Sequence, residues 1–352
     1  MILTIVVGLV VLSVLVLVHE LGHFIAAKAC GVWVEEFGIG YPPRIFGKKR
    51  GETIYSVNWI PFGGFNKLSG EVDPSAPRSL AGKSIAVRLL VLSGGIMMNL
   101  LLPFVLLSVA FMVPHNVVVG QVVVQEVAPA SPAAVAGIKP GDTLLSLNGQ
   151  ELASVGDLSR QVQLNLGREV TIDIKHSDGT MGEARLIPRW RPPAGQGAIG
   201  TLSQTVNAAI VSESYPFWQA IPRGVVTCWE SLVLYKNGII GMIIGTVPVV
   251  MTGPVGIVQV TGEVAQAGTS PVLELAAFIS IALAITQLLP FPALDGGRIF
   301  FVILEWARRG KRVSPKVEAM VHSVGFAVLI ALMVAITYQD IIRIVTGESL
   351  VH

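Results

Sequence analysis

Charge is scarce in this sequence. Of its 352 residues only 14% are Asp, Glu, Lys or Arg, against about 25% in an ordinary soluble domain. Hydrophobic residues make up 52%, and the mean hydropathy is +0.67. Such a composition excludes a water-soluble enzyme. The 25 basic and 23 acidic side chains leave a formal net charge of +2, too balanced for a nucleic-acid binder that works by neutralising phosphates. Cysteine is nearly missing. Cys30 and Cys228 cannot build a disulfide framework, and they fall in segments assigned below to opposite sides of a membrane, so redox chemistry is not expected. Internal repeats and low-complexity tracts are absent as well, which leaves hydrophobic runs and short motifs to carry the meaning.

A spanning helix needs about 20 mostly apolar residues. Four uncharged runs approach or exceed that length: residues 2–18, ending on His19; residues 89–113; residues 275–294; and residues 319–339, interrupted only by His322. The first resembles the core of a signal peptide, but no basic stretch precedes it and the apolar pattern continues past His23 to Ala29. A retained helix is therefore expected there. Residues 237–262 are also uncharged, yet they contain six glycines together with Pro248 and Pro254.

Lys and Arg collect in cytoplasmic connections. Residues 28–88 hold nine of them and residues 298–316 hold six. With four spans both segments lie on the cytoplasmic side, and residues 114–274 lie outside with both termini. A fifth span at 237–262 would carry Arg308, Arg309, Lys311 and Arg312 outside. That stretch is instead expected to lie in or dip into the membrane, where irregular backbone needs protein or water around it.

Between about residues 118 and 188 the long apolar runs give way to short alternating strands at 120–127, 143–147 and 170–175, and to the turn Ser177-Asp178-Gly179. The stretch Ala136-Gly137-Ile138-Lys139-Pro140-Gly141-Asp142, followed by an apolar strand and Asn148-Gly149, resembles a PDZ domain of the bacterial protease type. That resemblance implies binding of extended chain ends by strand addition. Residues 189–222, with Pro192-Pro193 and several glycines, read as a linker.

The sharpest chemical signal is His19-Glu20-Leu21-Gly22-His23. Two histidines four apart share one helix face and can hold one Zn²⁺, while the Glu between them activates its water. Three ionisable residues within five positions of a membrane helix are expensive and need a shared purpose. Catalytic zinc takes a third protein ligand and leaves one position for water. His115 and His176 fall outside, His352 is terminal, and His322 is isolated near the inner end of the fourth run. Asp295 is the better candidate, because Pro290, Pro292, Gly296 and Gly297 around it let the backbone leave a regular helix. At roughly 1.5 Å per residue, His19 lies about 26 Å and Asp295 about 30 Å from the outer starts of their runs. The two therefore reach similar depth near the cytoplasmic face.

Taken together, the His-Glu-x-x-His helix, Leu294-Asp295-Gly296, the PDZ-like module and Gly253-Pro254-Val255-Gly256-Ile257 resemble the bacterial site-2 proteases, intramembrane zinc metalloproteases, over nearly the whole chain. The resemblance implies an α-helical polytopic membrane protein with four transmembrane helices, one extracytoplasmic PDZ (α+β) domain and a membrane-re-entrant β-hairpin. One Zn²⁺ per chain would be held by His19, His23 and Asp295, with Glu20 as general base. The hairpin would lie at about residues 54–67, where Phe62, Gly63, Gly64 and Phe65 help present the substrate; Gly63-Gly64 is itself a turn signal. Asn99 is expected to form a helix–helix hydrogen bond or to touch substrate. Gln287 stands where these proteases usually have Asn, a residue thought to contact the substrate or its carbonyl, and Gly94-Gly95 replaces a usual Gly-Pro.

The implied division is 1–113 for the first two helices with the hairpin, 116–190 for the PDZ domain, 191–270 for a linker and membrane-associated region, and 271–352 for the last two helices. The implied partners are single-span transmembrane substrates such as anti-sigma factors or remnant signal peptides, the lipid bilayer, and a cleaved chain end in the PDZ groove, with no nucleic acid. The implied location is the bacterial cytoplasmic membrane, with the active site toward the cytoplasm. Two rival classes use the same residues differently. A metal transporter or sensor would bind the ion without hydrolysis, although such sites usually sit near the midplane, and a scaffold would act through the PDZ module alone.

Overall fold

The structure, a computed structural model, describes residues 2–248 and 252–346. Helix α1 (Ile2–Ala29) leads into two long strands, β1 (Val34–Arg50) and β2 (Thr53–Leu68), and then helix α2 (Ile85–Met112). A strand-rich stretch follows: β3 (His115–Val127), α3 (Pro132–Val135), β4 (Thr143–Leu147), β5 (Gln150–Glu151), α4 (Val155–Leu164), β6 (Val170–Lys175), β7 (Met181–Leu186) and β8 (Thr201–Glu213). The remaining elements are helices: α5 (Phe217–Ile243), α6 (Pro254–Ala265), α7 (Thr269–Leu288), α8 (Asp295–Ala307) and α9 (Pro315–Thr346). The described residues divide into two compact units, one within 1–110 and 251–352, the other within 111–250.

Among the described residues four helices are long and apolar enough to cross a membrane: Ile5–Ala29, Ile85–Met112, Thr269–Leu288 and Pro315–Thr346. They correspond to the four apolar runs of the sequence. Helix α1 leaves Ile5, Val6, Val10 and Val14 exposed, as a helix surrounded by acyl chains requires. Helices α1 and α2 meet backbone to backbone, since a Cβ on Gly94 would fall 2.6 Å from the Gly22 carbonyl oxygen. Small residues permit that approach in lipid, where packing rather than hydrophobicity draws helices together.

Two buried carboxylates brace this unit. Asp340 in α9 accepts hydrogen bonds from the main-chain N–H groups of Gly253 (3.0 Å) and Gly256 (2.9 Å) and pairs with Arg343 at 2.9 Å. A negative charge at the N-terminus of α6 is thereby satisfied by amides and by the helix dipole. Glu305 in α8 joins Arg88 of α2 at 2.5 Å and Arg312 at 3.0 Å. Burial disfavours the Glu305 carboxylate, but the hydrogen bonds from Arg88 and Arg312 outweigh it and hold its pKa below the ordinary carboxylate range. A depressed pKa adds stability above the unfolded value, and that contribution is lost as pH falls through the folded one. The thermal midpoint should therefore drop as pH falls below about 4.5. The variant Glu305→Gln should lower the midpoint at neutral pH and flatten this acid dependence; an unchanged acid slope in the variant would reject the assignment to Glu305.

The strand pair folds back on itself. Phe37 faces both Tyr55 and Asn66, and Gly38 faces both Ser56 and Phe65, while Lys48 faces Tyr55 from the other side. Residues 36–39 are thus flanked by 54–57 and by 64–67, which leaves 64–67 at one edge. The hairpin expected at 54–67 is a larger element that includes β1 and reverses at residues 50–53. Its turn end stays with the end of α1, through Lys28 and Glu52 at 3.1 Å, while Ser13 donates to the Pro61 carbonyl at 3.0 Å. Fifteen helical steps separate Ser13 from Lys28, so the element runs beside α1 for about 22 Å.

In the second unit the sheet order is β7-β6-β4-β3-β8, with β5 paired to β4. Val170, Ile172 and Ile174 alternate inward on β6, as strand geometry demands. They pack with Val122, Val124, Leu144, Leu147 and Leu158 in one apolar core. The stretch read as a linker at 189–222 holds a strand instead: β8 pairs with β3 from His115↔Glu213 to Val127↔Thr201. Prolines and glycines at 192–200 mark a loop, but Thr201–Glu213 is rich in the Val, Ile and Thr that a strand favours. Within 191–270 the structure also has the 27-residue helix α5. Residues 237–262 do not form one helix, since α5 ends at Ile243 and α6 begins at Pro254; the part at 249–251 lies outside the described residues.

Candidate metal centre

His19 and His23 project from one face of α1, one helical turn apart, and both are buried. Asp295 comes from the first residue of α8. His19 Nε2 lies 2.9 Å and His23 Nε2 3.0 Å from the same oxygen, Asp295 Oδ2, and the two ring nitrogens are 3.2 Å apart. No other group of three such side chains converges among the described residues.

The surroundings test whether this trio suits a cation. The Val91 carbonyl can only accept, so the 2.8 Å bond from His23 Nδ1 places a proton on Nδ1 and turns Nε2 toward the other two donors. His19 Nδ1 faces the Asn99 side-chain amide at 3.3 Å; turned so that its otherwise unpartnered Oδ1 meets the ring, that amide accepts the Nδ1 proton and leaves Nε2 free to bind a metal. Outer partners of this kind fix ring orientation in metal-binding histidines. Three such atoms aimed at one point need a proton or a metal ion between them, and two His nitrogens with one carboxylate oxygen form a zinc-type set. The fit extends to the backbone. A Cβ on Gly95 would come 2.5 Å from His23 Nε2 and 2.6 Å from His19 Nε2, so only glycine leaves the histidines room at this crossing.

Asp295 is placed by a bend that its glycines allow. A Cβ on Gly296 would run into the carbonyls of Leu288 and Leu289, which fold over the start of α8. Ala293 sits in the left-handed region at φ 77°, a strained state for a residue with a side chain. Its N–H donates to His322 Nδ1 at 2.9 Å. His322, isolated in the sequence, therefore braces the loop before Asp295 and stays outside the ligand set. Gln287 Oε1 lies 3.4 Å from the Asp295 main-chain N–H.

Glu20 faces a cavity of about 200 Å³ that also reaches His23, Phe65, Asn66, Asp295 and Arg298. Asn99, weighed as a substrate contact, is buried at 1% exposure against His19, and its carbonyl accepts from Ser280 at 2.8 Å. Phe65 stacks on Tyr41 with ring centres 6.4 Å apart. Gly64 lies against Leu17 and Glu20 of α1, and Gly63 beside it has φ 58°. The side chain of Phe62 lies outside the described residues. Two participants escaped sequence reasoning. Asn66 hydrogen-bonds Glu20, and the Val91 carbonyl carries no side-chain signal at all.

A profile described as peptidase family M50 matches residues 7–332. The chain is similar to a Clostridium perfringens protein that carries a provisional zinc-metalloprotease name, with 35% identity over 339 residues, 95% of this chain and 97% of that one. It is also similar to the regulator of sigma-W protease RasP of Bacillus subtilis, at 26% identity over 97% of this chain and 99% of that one. Among solved structures, the PDZ domain of an SdrC-like protein from Listeria innocua is 28% identical and covers 24% of this chain and 92% of its own, at a TM-score of 0.21, too low to establish a shared fold.

Proposed function

The chain belongs to peptidase family M50, and from that premise we propose that it hydrolyses peptide bonds inside the transmembrane segments of single-span proteins. The observation that carries this reading is the convergence of His19, His23 and Asp295 at a site where Glu20 opens on the same cavity. His19, His23 and Asp295 would hold a zinc ion, which would supply Lewis acidity for the attacking water and the scissile carbonyl. Glu20 would take a proton from the attacking water and deliver it to the leaving amine. Val91 and Asn99 hold the imidazoles, and Gln287 and His322 hold the backbone that carries Asp295.

A transmembrane helix hides its carbonyls in hydrogen bonds and must be unwound before it can be cut. The edge at residues 64–67 offers a strand to pair with, and Gly63, Gly64, Phe65 and Phe62 are the residues that would face the extended chain. The 22 Å run of the β1–β2 element beside α1 favours its re-entry into the bilayer from the cytoplasmic side. Both basic loops would then be cytoplasmic, with the PDZ-like module outside as a filter that admits substrates already trimmed of bulky outer domains and holds a cleaved chain end. The name of the Bacillus subtilis relative, a regulator of sigma-W protease, favours anti-sigma factors as substrates, with remnant signal peptides as the alternative class, in a bacterial cytoplasmic membrane.

Quantitative membrane proteomics on source cells should test this directly. A chromosomal Glu20→Gln strain is expected to accumulate single-span stubs truncated on their outer side that wild type removes. If no stubs accumulate even under envelope stress, the proteolytic reading fails.

A further inference from the structure

We propose that Asn66 is the positioning residue for Glu20, tying the placement of the general base to the hairpin strand that receives the substrate. The inference rests on the reading of Glu20 as the base. The Asn66 amide nitrogen donates to Glu20 Oε2 at 2.9 Å and, in a second short contact, to the main-chain oxygen of the same residue. One NH₂ group thus grips both ends of the Glu20 side chain, and it fixes the torsions between the helix backbone and the carboxylate. Nothing else among the described residues donates a side-chain hydrogen bond to that carboxylate.

The chemistry of the position argues for a role of this kind. Asn66 lies within β2 and borders the cavity that holds Glu20, His23 and Asp295. Its Oδ1 is buried without a partner. An orphaned buried amide oxygen lowers stability, and asparagine is a poor strand residue where a β-branched one would pack well. The amide is tolerated at this cost, and among the described residues its side chain hydrogen-bonds Glu20 alone. Local rules broken without structural gain tend to mark functional positions.

Asn66 sits on the edge that would pair with an extended substrate, at the residue facing Phe37. Movement of that edge on pairing is transmitted to Glu20 through two hydrogen bonds rather than through loose packing. A base held in this way reaches its working geometry when the strand is in place.

The test uses the purified full chain in lipid nanodiscs, a single-span reporter substrate, and the variants Asn66→Val, Asn66→Asp, Glu20→Gln and Asn66→Val/Glu20→Gln. Asn66→Val should lower kcat by about 10- to 100-fold, the scale on which small misplacements of a reacting group act, with KM within about twofold and zinc content unchanged. Asn66→Asp keeps the shape but loses the donor, and it should fall at least as far, so a folding defect of the valine variant would not protect the idea. The double variant should be no slower than Glu20→Gln alone. A wild-type kcat in Asn66→Asp, a loss expressed only in KM, or an additive loss in the double variant would overturn the proposal. If instead Glu20→Gln itself turns over normally, the reading of Glu20 as base fails first, whatever Asn66 does.

Discussion

Replacing Gly95 by alanine is expected to strip the protein of zinc while leaving its helices intact. The added methyl carbon would lie 2.5 to 2.6 Å from the Nε2 atoms of His23 and His19, well inside van der Waals contact, and both rings would have to turn away from Asp295. Backing α2 off to relieve the clash would pull apart the close Gly94–Gly22 contact that joins it to α1. Outer partners of a metal site alone are worth about 10- to 100-fold in affinity, and displacing two ligands should cost at least that much. Metal analysis of the purified variant, alongside Asp295→Ala, provides the measurement. The two should lose zinc to a similar degree, and turnover should vanish in both. Retention of zinc by Gly95→Ala at the wild-type level would mean that the histidines do not bind in the orientation seen here.

The second large effect separates chemistry from binding. Glu20→Gln keeps the size and polarity of the side chain and leaves His19, His23 and Asp295 untouched, so zinc content should match wild type. The amide cannot accept the water proton, and loss of a general base costs about 10²- to 10⁴-fold in rate. With the metal still bound, kcat should fall by that order while substrate capture by the full chain persists. A transporter or sensor using the same ligands would tolerate the change, as would a scaffold acting through its strand-rich module. Normal metal binding with normal turnover in Glu20→Gln would therefore dismiss hydrolysis by this route. The two variants also bracket the mechanism, since one removes the ion and leaves the base while the other does the reverse.

How far such outcomes could be anticipated differs from residue to residue. His19, Glu20 and His23 were legible because their spacing matches a helix turn and because ionisable groups in an apolar run are costly enough to demand a reason. Asp295 was legible once a third ligand was required and depth was counted along two helices. The four helices long and apolar enough to cross a membrane followed from length and hydropathy alone. Strand β8 did not, because the prolines and glycines just before it obscure a stretch that becomes a strand only by pairing with β3. The bracing role of His322, the amide clamp of Asn66 and the carboxylate of Asp340 under α6 each join residues far apart in the chain. No local pattern announces contacts of that kind.

Composition and periodicity settle where this chain must be buried and which side chains can bear a metal, because burial cost and helical spacing act within a single segment. Which backbone carbonyl holds a ring, which glycine leaves it room and which strand reaches the Glu20 carboxylate depend on how α1, α2, α8 and the hairpin meet. Those contacts exist only after packing, and packing at the Gly22–Gly94 crossing is decided by shape, to which any one segment contributes only half.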